Sequence, residues 1–140
     1  CGKLDVPSGE VIYSNGGHNP PYVLRGHGSL ESLPRVGGPA LGVFDAATYR
    51  LDRLILQPQD VLVLYTDGVT EAMSPDEEFF LESRLEACVR TAPGETARQL
   101  VERVSRAAEE FTAGAPPTDD ITLVALRYCG SPDGSREDAS

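Results

Sequence analysis

The sequence predicts an α+β domain built on two packed, mainly antiparallel β-sheets, and three observations carry that prediction. Residues 3–66 are short β-rich runs broken at close intervals by Gly, Pro and Asn; residues 81–112 carry two amphipathic helical patterns; and residues 121–128 return to a strand.

Taken in chain order, Lys3 to Val6 and Val11 to Ser14 flank Pro7-Ser8-Gly9 as a first hairpin. Tyr22 to Leu24 and Ser29 to Leu33 flank Gly26-His27-Gly28 as a second. Val36 to Val43, with glycines at 37, 38 and 42, is too Gly-rich for a strand interior and is expected to be a shaped loop. Tyr49 to Leu56 and Asp60 to Thr66 follow as strands. The consecutive apolar run Val61-Leu62-Val63-Leu64-Tyr65 marks the second of these as a central strand covered on both faces. Ser74-Pro75-Asp76-Glu77 has the form of a helix start, and Glu77, Glu78 and Glu82 are expected on the wet face of a helix. Leu81, Leu85, Cys88 and Val89 keep helical spacing up to Pro93-Gly94. Ala97, Leu100, Val101, Val104, Ala108 and Phe111 repeat it over about 95–112. The last strand, Ile121 to Tyr128, carries Ile121, Leu123 and Ala125 on one face. Residues 1–128 thus form the folded part, and residues 129–140, with nothing to bury, a disordered tail.

With 140 residues the chain fits one domain or part of one. Twelve basic against twenty-two acidic residues give a net charge of −10, and the basic residues are scattered, which excludes a nucleic-acid surface. No apolar run reaches the roughly 20 residues that span a bilayer, so no membrane insertion is expected, and the location is read as cytoplasmic. Cys1, Cys88 and Cys129 are odd in number and widely spaced, which supports neither a disulfide framework nor a zinc finger. Cys1 in place of Met is read as a fragment boundary, with a lipid-modified cysteine as the alternative.

Two acidic positions stand out. Asp67-Gly68 directly follows the central strand, and Asp119-Asp120 directly precedes the last one. If those strands pair antiparallel, the end of one lies beside the start of the other. Carboxylates then converge without histidine or thiolate, a donor set for a hard ion such as Mg²⁺ or Mn²⁺. Either pair alone is more simply a turn or a solvated cap. His18, in Asn15-Gly16-Gly17-His18-Asn19-Pro20-Pro21, is more simply a residue fixing its turn than a proton carrier. Gly37-Gly38-Pro39 has neither the spacing nor the following helix of a phosphate-binding loop.

Five stretches resemble a known family. Tyr13-Ser14-Asn15-Gly16-Gly17-His18-Asn19-Pro20-Pro21 is similar to a "NAGHxPP" hairpin, and Gly38-Pro39-Ala40-Leu41-Gly42 to a "PLG" loop. Leu56-Gln57-Pro58-Gln59-Asp60 is similar to "LxPGD", Leu64 to Ala72 to "LYTDGVTEA", and Asp119-Asp120-Ile121-Thr122-Leu123 to "DDITL". In this order they resemble the PPM-type (protein phosphatase 2C-like) metal-dependent protein phosphatases of the bacterial SpoIIE/RsbU branch. The resemblance implies an αββα sandwich and two ions, Mn²⁺ or Mg²⁺, with Asp67 and Asp119 as metal ligands and Gly68 and Asp120 as supporting residues. It implies a serine/threonine phosphatase, a phosphoric monoester hydrolase, in which a metal-activated water attacks phosphoserine or phosphothreonine on a partner, typically an anti-anti-sigma STAS domain, in signal transduction to a sigma factor. No catalytic residue beyond the metal ligands is implied.

The family's domain carries a further, bridging Asp upstream of the "NAGH" hairpin, and residues 1–12 offer no substitute. The N-terminal portion of the domain is therefore expected to be missing, the chain alone inactive and weak in metal binding, and one sheet face uncovered, with a homodimer or poor solubility as the consequence. A degenerate phosphatase-like module that binds a protein without catalysis is the alternative. Two departures from the pattern are Gln59 where Gly precedes the aspartate, and Phe80 where Gly is expected before the first helix.

Overall fold

The computed structural model describes residues 1–90, 94–115 and 119–130. Pro93, Pro116-Pro117 and residues 131–140 of the expected tail lie outside them.

The first sheet has β2 (Glu10–Tyr13) between β1 (Gly2–Leu4) and β7 (Asp52–Ile55), all antiparallel. The hairpin at residues 5–9 forms as its sequence predicts. Asp5 Oδ2 accepts from the Ser8 amide at 3.2 Å, the Gly9 amide donates to Asp5 O at 2.9 Å, and Gly9 takes the left-handed φ of 73° that closes the turn. The second sheet runs β5 (Leu30–Ser32), β4 (Tyr22–Leu24), β8 (Val61–Tyr65), β9 (Leu123–Arg127), again antiparallel throughout. The Gly-rich loop contains one regular piece: β6 (Gly37–Gly38) pairs in parallel with β3 (Asn15–Gly16). A Cβ on Gly37 would sit 1.9 Å from the Asn15 carbonyl oxygen, so only glycine allows this pairing.

The strand Val61–Tyr65 is central, and its two faces differ. Val61, Val63 and Tyr65 are buried beneath two helices, α2 (Leu81–Arg90) and α3 (Ala97–Phe111), whose Leu85, Val89, Leu100 and Val104 complete that core. Each such side chain, removed from water, contributes about 1.5–3 kcal/mol. Leu62 and Leu64 face the first sheet and are only half-buried. There Val11, Leu54, Val23 and Leu33 form a second, smaller core. A cavity of about 380 Å³ opens between the sheets, lined by Val11, Leu33, Leu54, Leu62 and Leu64 among others. Beside it Val124 and Leu126, cross-strand partners of Leu64 and Leu62, are exposed. The outer face of the first sheet carries the Arg53–Glu10 ion pair and exposed Ile55, and both longer helices pack on the second sheet.

Three expectations shift. Ser74 to Glu77 starts no helix: the Ser74 amide donates to Glu78 O, the Glu77 amide to Ser74 O and the Glu78 amide to Ser74 Oγ, and Met73 bridges Phe79, so Glu77 and Glu78 lie in a tight turn and only Glu82 rides on a helix. The capping box that forms is Thr96 with Gln99, at the start of α3. Phe80, in place of the expected Gly, is buried and packs edge-on against Phe111 at 5.4 Å, and the left-handed residue is its neighbour Leu81, φ 64°.

Candidate functional site

The antiparallel ladder between β8 and β9 runs from Val61 opposite Arg127 to Tyr65 opposite Leu123. It continues past the strands. The Thr66 amide donates to Thr122 O at 3.0 Å, while Thr66 Oγ1 accepts from the Thr122 amide and donates to Asp120 O, both at 2.9 Å. The chain then turns into the one-turn helix α1 (Asp67–Thr70), held by Val69 and Ala72 in the core and by the Thr70 hydroxyl and Glu71 amide on Asp67 O. Gly68 lies directly under the other strand's lead-in: a Cβ there would meet Asp120 O at 2.4 Å and Asp119 O at 3.3 Å. The two acidic motifs predicted to converge are therefore in backbone contact.

Asp67 and Asp119 are both exposed, and each uses one oxygen locally. Asp67 Oδ1 accepts from the Gly68 amide at 3.1 Å and Asp119 Oδ1 from the Asp120 amide at 2.7 Å. Among the described residues no hydrogen bond engages their second oxygens. Asp120 contributes through its backbone carbonyl, which Thr66 holds, while its side chain is exposed. Hard carboxylate oxygens at a rigid strand junction suit a hard divalent ion in kind. In number they supply part of a coordination sphere: among the described residues no three His, Cys, Asp or Glu side chains cluster as a metal site.

Below the junction, Tyr65 stacks on Tyr22 at 5.6 Å, and the Tyr22 hydroxyl donates to Glu86 Oε1 at 3.0 Å. Burial pushes both phenols up, so they stay neutral and tie the strand ends to α2. His18 is held in its turn, its amide on Asn15 Oδ1 at 2.7 Å and its carbonyl accepting from Asn15 Nδ2 at 2.9 Å. It fixes the loop, as expected.

At the opposite end of the sheet lies a cluster that the sequence reading did not single out. Asp60, 1% exposed, accepts from Arg25 Nη1 at 2.8 Å, the Gly26 amide at 2.9 Å and the Gln57 amide at 2.9 Å. Arg25 also grips Glu31 with Nε and Nη2 at 3.1 and 2.9 Å. The available signal was the aspartate that closes the Leu56 to Asp60 stretch at a strand start.

The family model for stage II sporulation protein E (SpoIIE) matches residues 1–128. Protein IcfG of Synechocystis sp. is 34% identical over 125 residues, which are 89% of this chain and 19% of IcfG. Among solved structures, the RsbU and RsbW domains of Rv1364c from Mycobacterium tuberculosis superpose with TM-score 0.70 at 25% identity, covering 94% of this chain and 36% of that one. The SiaA-PP2C domain of Pseudomonas aeruginosa gives 0.71 at 18%, covering 86% and 47%, and the SpoIIE phosphatase domain of Bacillus subtilis gives 0.68 at 14%, covering 91% and 54%. The chain thus spans about a fifth of the curated relative and about a third to a half of these solved chains. With its acidic strand junction, its antiparallel sheets and its match over residues 1–128, the chain belongs to the SpoIIE family of PP2C-like phosphatases.

Proposed function

We propose that this chain is part of a metal-dependent protein serine/threonine phosphatase that removes phosphate from a regulatory protein of the anti-anti-sigma STAS type. The observation that carries the proposal is the backbone contact between Gly68 and Asp119-Asp120, which brings Asp67 and Asp119 to one strand junction. Their carboxylates would hold Mn²⁺ or Mg²⁺, which when bound supplies the Lewis acidity that activates water and offsets phosphate charge. Thr66 and Gly68 keep the two aspartates in register, so the site needs little reorganisation to accept a charged ligand. Both carboxylates are exposed at an open sheet end, which suits a phosphoserine or phosphothreonine borne on a folded partner. The STAS class of that partner is supported by family membership alone.

Two carboxylates hold a divalent ion weakly, so residues 1–140 are expected to bind Mn²⁺ with a dissociation constant on the order of 10⁻⁴ M and to turn over phosphopeptide slowly if at all. Calorimetric Mn²⁺ titration of the chain beside Asp67→Asn tests this. Binding by the wild type that the variant loses supports the proposal; equal binding by both removes Asp67 from the site, and binding by neither leaves a fragment that needs the bridging aspartate or a phosphatase-like module that binds protein without catalysis, which the residues upstream of Cys1 distinguish.

A further inference from the structure

The strand β9 (Leu123–Arg127) is an edge of the second sheet. At its two ends the Thr66 amide donates to Thr122 O and the Tyr128 amide to Asp60 O, so the even-numbered residues turn their amides and carbonyls toward β8. Those of Leu123, Ala125 and Arg127 therefore point outward from the sheet edge. Among the described residues they make no hydrogen bond beyond a 4.0 Å contact from the Cys129 thiol to Arg127 O. On one face of the strand Leu123 and Ala125 pack against the helical core. On the other, Val124 and Leu126 are exposed beside their partners Leu64 and Leu62.

The other free edges of the two larger sheets are protected. β1 and β5 are three residues long, with Lys3 and Glu31 at their centres, and β7 carries Asp52 and Arg53. Short strands and charges of this kind oppose edge-to-edge pairing. β9 is the longest of these edges, and its one charged side chain is folded back on its own chain: Arg127 donates to Gln59 Oε1 at 2.8 Å and to the Glu95 carbonyl. Its sequence is also complementary to itself. Antiparallel pairing about Ala125 sets Ala125 opposite its own copy, Leu123 opposite Arg127 and Val124 opposite Leu126, the one register that uses all five residues. The outward amides and carbonyls then meet each other, and Val124 and Leu126 fall in the closer, non-hydrogen-bonded pairs.

We propose that β9 pairs antiparallel with β9 of a second copy of this chain, joining the two four-stranded sheets into one continuous sheet. Val124 and Leu126 of each copy then cover those of the other. The Asp67–Asp119 junctions fall at opposite ends of the joined strands, so neither closes the other, and the pairing stands independently of the phosphatase reading. One strand pair buries less than the roughly 1,200 Å² of a stable interface, so the dimer is weak, with a dissociation constant on the order of 10⁻⁴ M. Each copy carries a net charge of −10, so salt, by screening that repulsion, tightens the association.

The test is sedimentation equilibrium of residues 1–140 at protein concentrations on either side of that constant, in low and high salt, with reductant to keep Cys1, Cys88 and Cys129 from cross-linking. The wild type should pass from monomer to dimer with concentration and associate more tightly in high salt. Ala125→Pro removes an amide that points out of the edge and spares the ladder to β8. Val124→Glu places a charge on the exposed face. Each variant that circular dichroism shows to be folded should weaken the dimer on the order of tenfold, and Val124→Glu decides alone if Ala125→Pro does not fold. Ile55→Glu, which adds the same charge on the edge strand of the first sheet, should dimerise like the wild type. A wild type that stays monomeric, a dimer that survives either folded variant, one that Ile55→Glu weakens as much as Val124→Glu, or one that salt loosens overturns the proposal.

Discussion

The Thr66 hydroxyl donates to the carbonyl oxygen of Asp120 at 2.9 Å, 54 residues away, and also accepts from the Thr122 amide, so one side chain clasps the end of β8 to the approach of β9. Gly68 lies within the clasp, with no room for a side chain. Gly68→Ala must push backbone against backbone, and its expected cost is about 2 kcal/mol or more, with loss of Mn²⁺ binding. Thr66→Val keeps the shape and loses the two hydrogen bonds, at about 1–2 kcal/mol. Urea unfolding of both variants checks the order; a Gly68→Ala protein as stable as the wild type would remove the contact on which the site rests.

How much of this was legible depends on the range of the interaction. The strand Val61–Tyr65 and the helix Ala97–Phe111 announce themselves because burial repeats along them, and antiparallel adjacency alone brings Asp67 to Asp119. The one-turn helix at Asp67–Thr70 is too short to show a period. Ser74-x-x-Glu77 and Thr96-x-x-Gln99 both fit a capping pattern, and only the second leads directly into its helix, whereas α2 begins at Leu81, past the turn that Ser74 closes. The Arg25–Asp60 pair joins positions 35 apart whose meeting depends on the register of β4 against β8, which no local pattern records.

Gln59 holds φ at 77°, which explains why the similar family pattern has glycine there. An L-residue in that region costs about 1–2 kcal/mol. Its side chain recovers part of this by accepting from Arg127 Nη1 at 2.8 Å. Gln59→Gly is expected to unfold at the same temperature or slightly higher, whereas β-branched Gln59→Val should lose about 1–2 kcal/mol. A thermal melt in which Val is tolerated better than Gly would contradict the backbone account.

The cavity between the sheets, with Leu64 inside and Val124 and Leu126 exposed at its edge, presents continuous apolar surface to water. A hydrophobic dye such as ANS should therefore fluoresce with the native protein. Leu64→Asp and Val124→Asp should suppress the signal, while Ile55→Asp, on the outer face of the first sheet, should not. Native protein silent toward the dye in dilute solution would mean that the cavity is closed.

Asp60 is expected to make the stability of the fold acid-sensitive. Burial pushes its carboxyl upward, but the Arg25 guanidinium and the Gln57 and Gly26 amides pull harder, and the net result lies below the usual carboxylate value. With the folded value depressed, the unfolded chain binds the proton more readily. The pair's stabilisation is therefore complete above the unfolded value of about 4 and is lost as pH falls through the folded one. Asp60→Asn replaces an acceptor by an amide that must meet donors, and Arg25→Ala strands a carboxylate whose side chain is 2% exposed. Each should cost about 3–5 kcal/mol near neutrality. Because Asp60→Asn has no proton left to take up there, its unfolding free energy should fall less steeply than the wild type's as pH drops below about 4. Denaturant titrations across that window decide the matter: parallel slopes for the two proteins would show that the acid response belongs to other carboxylates and that Asp60 is not held ionised by Arg25.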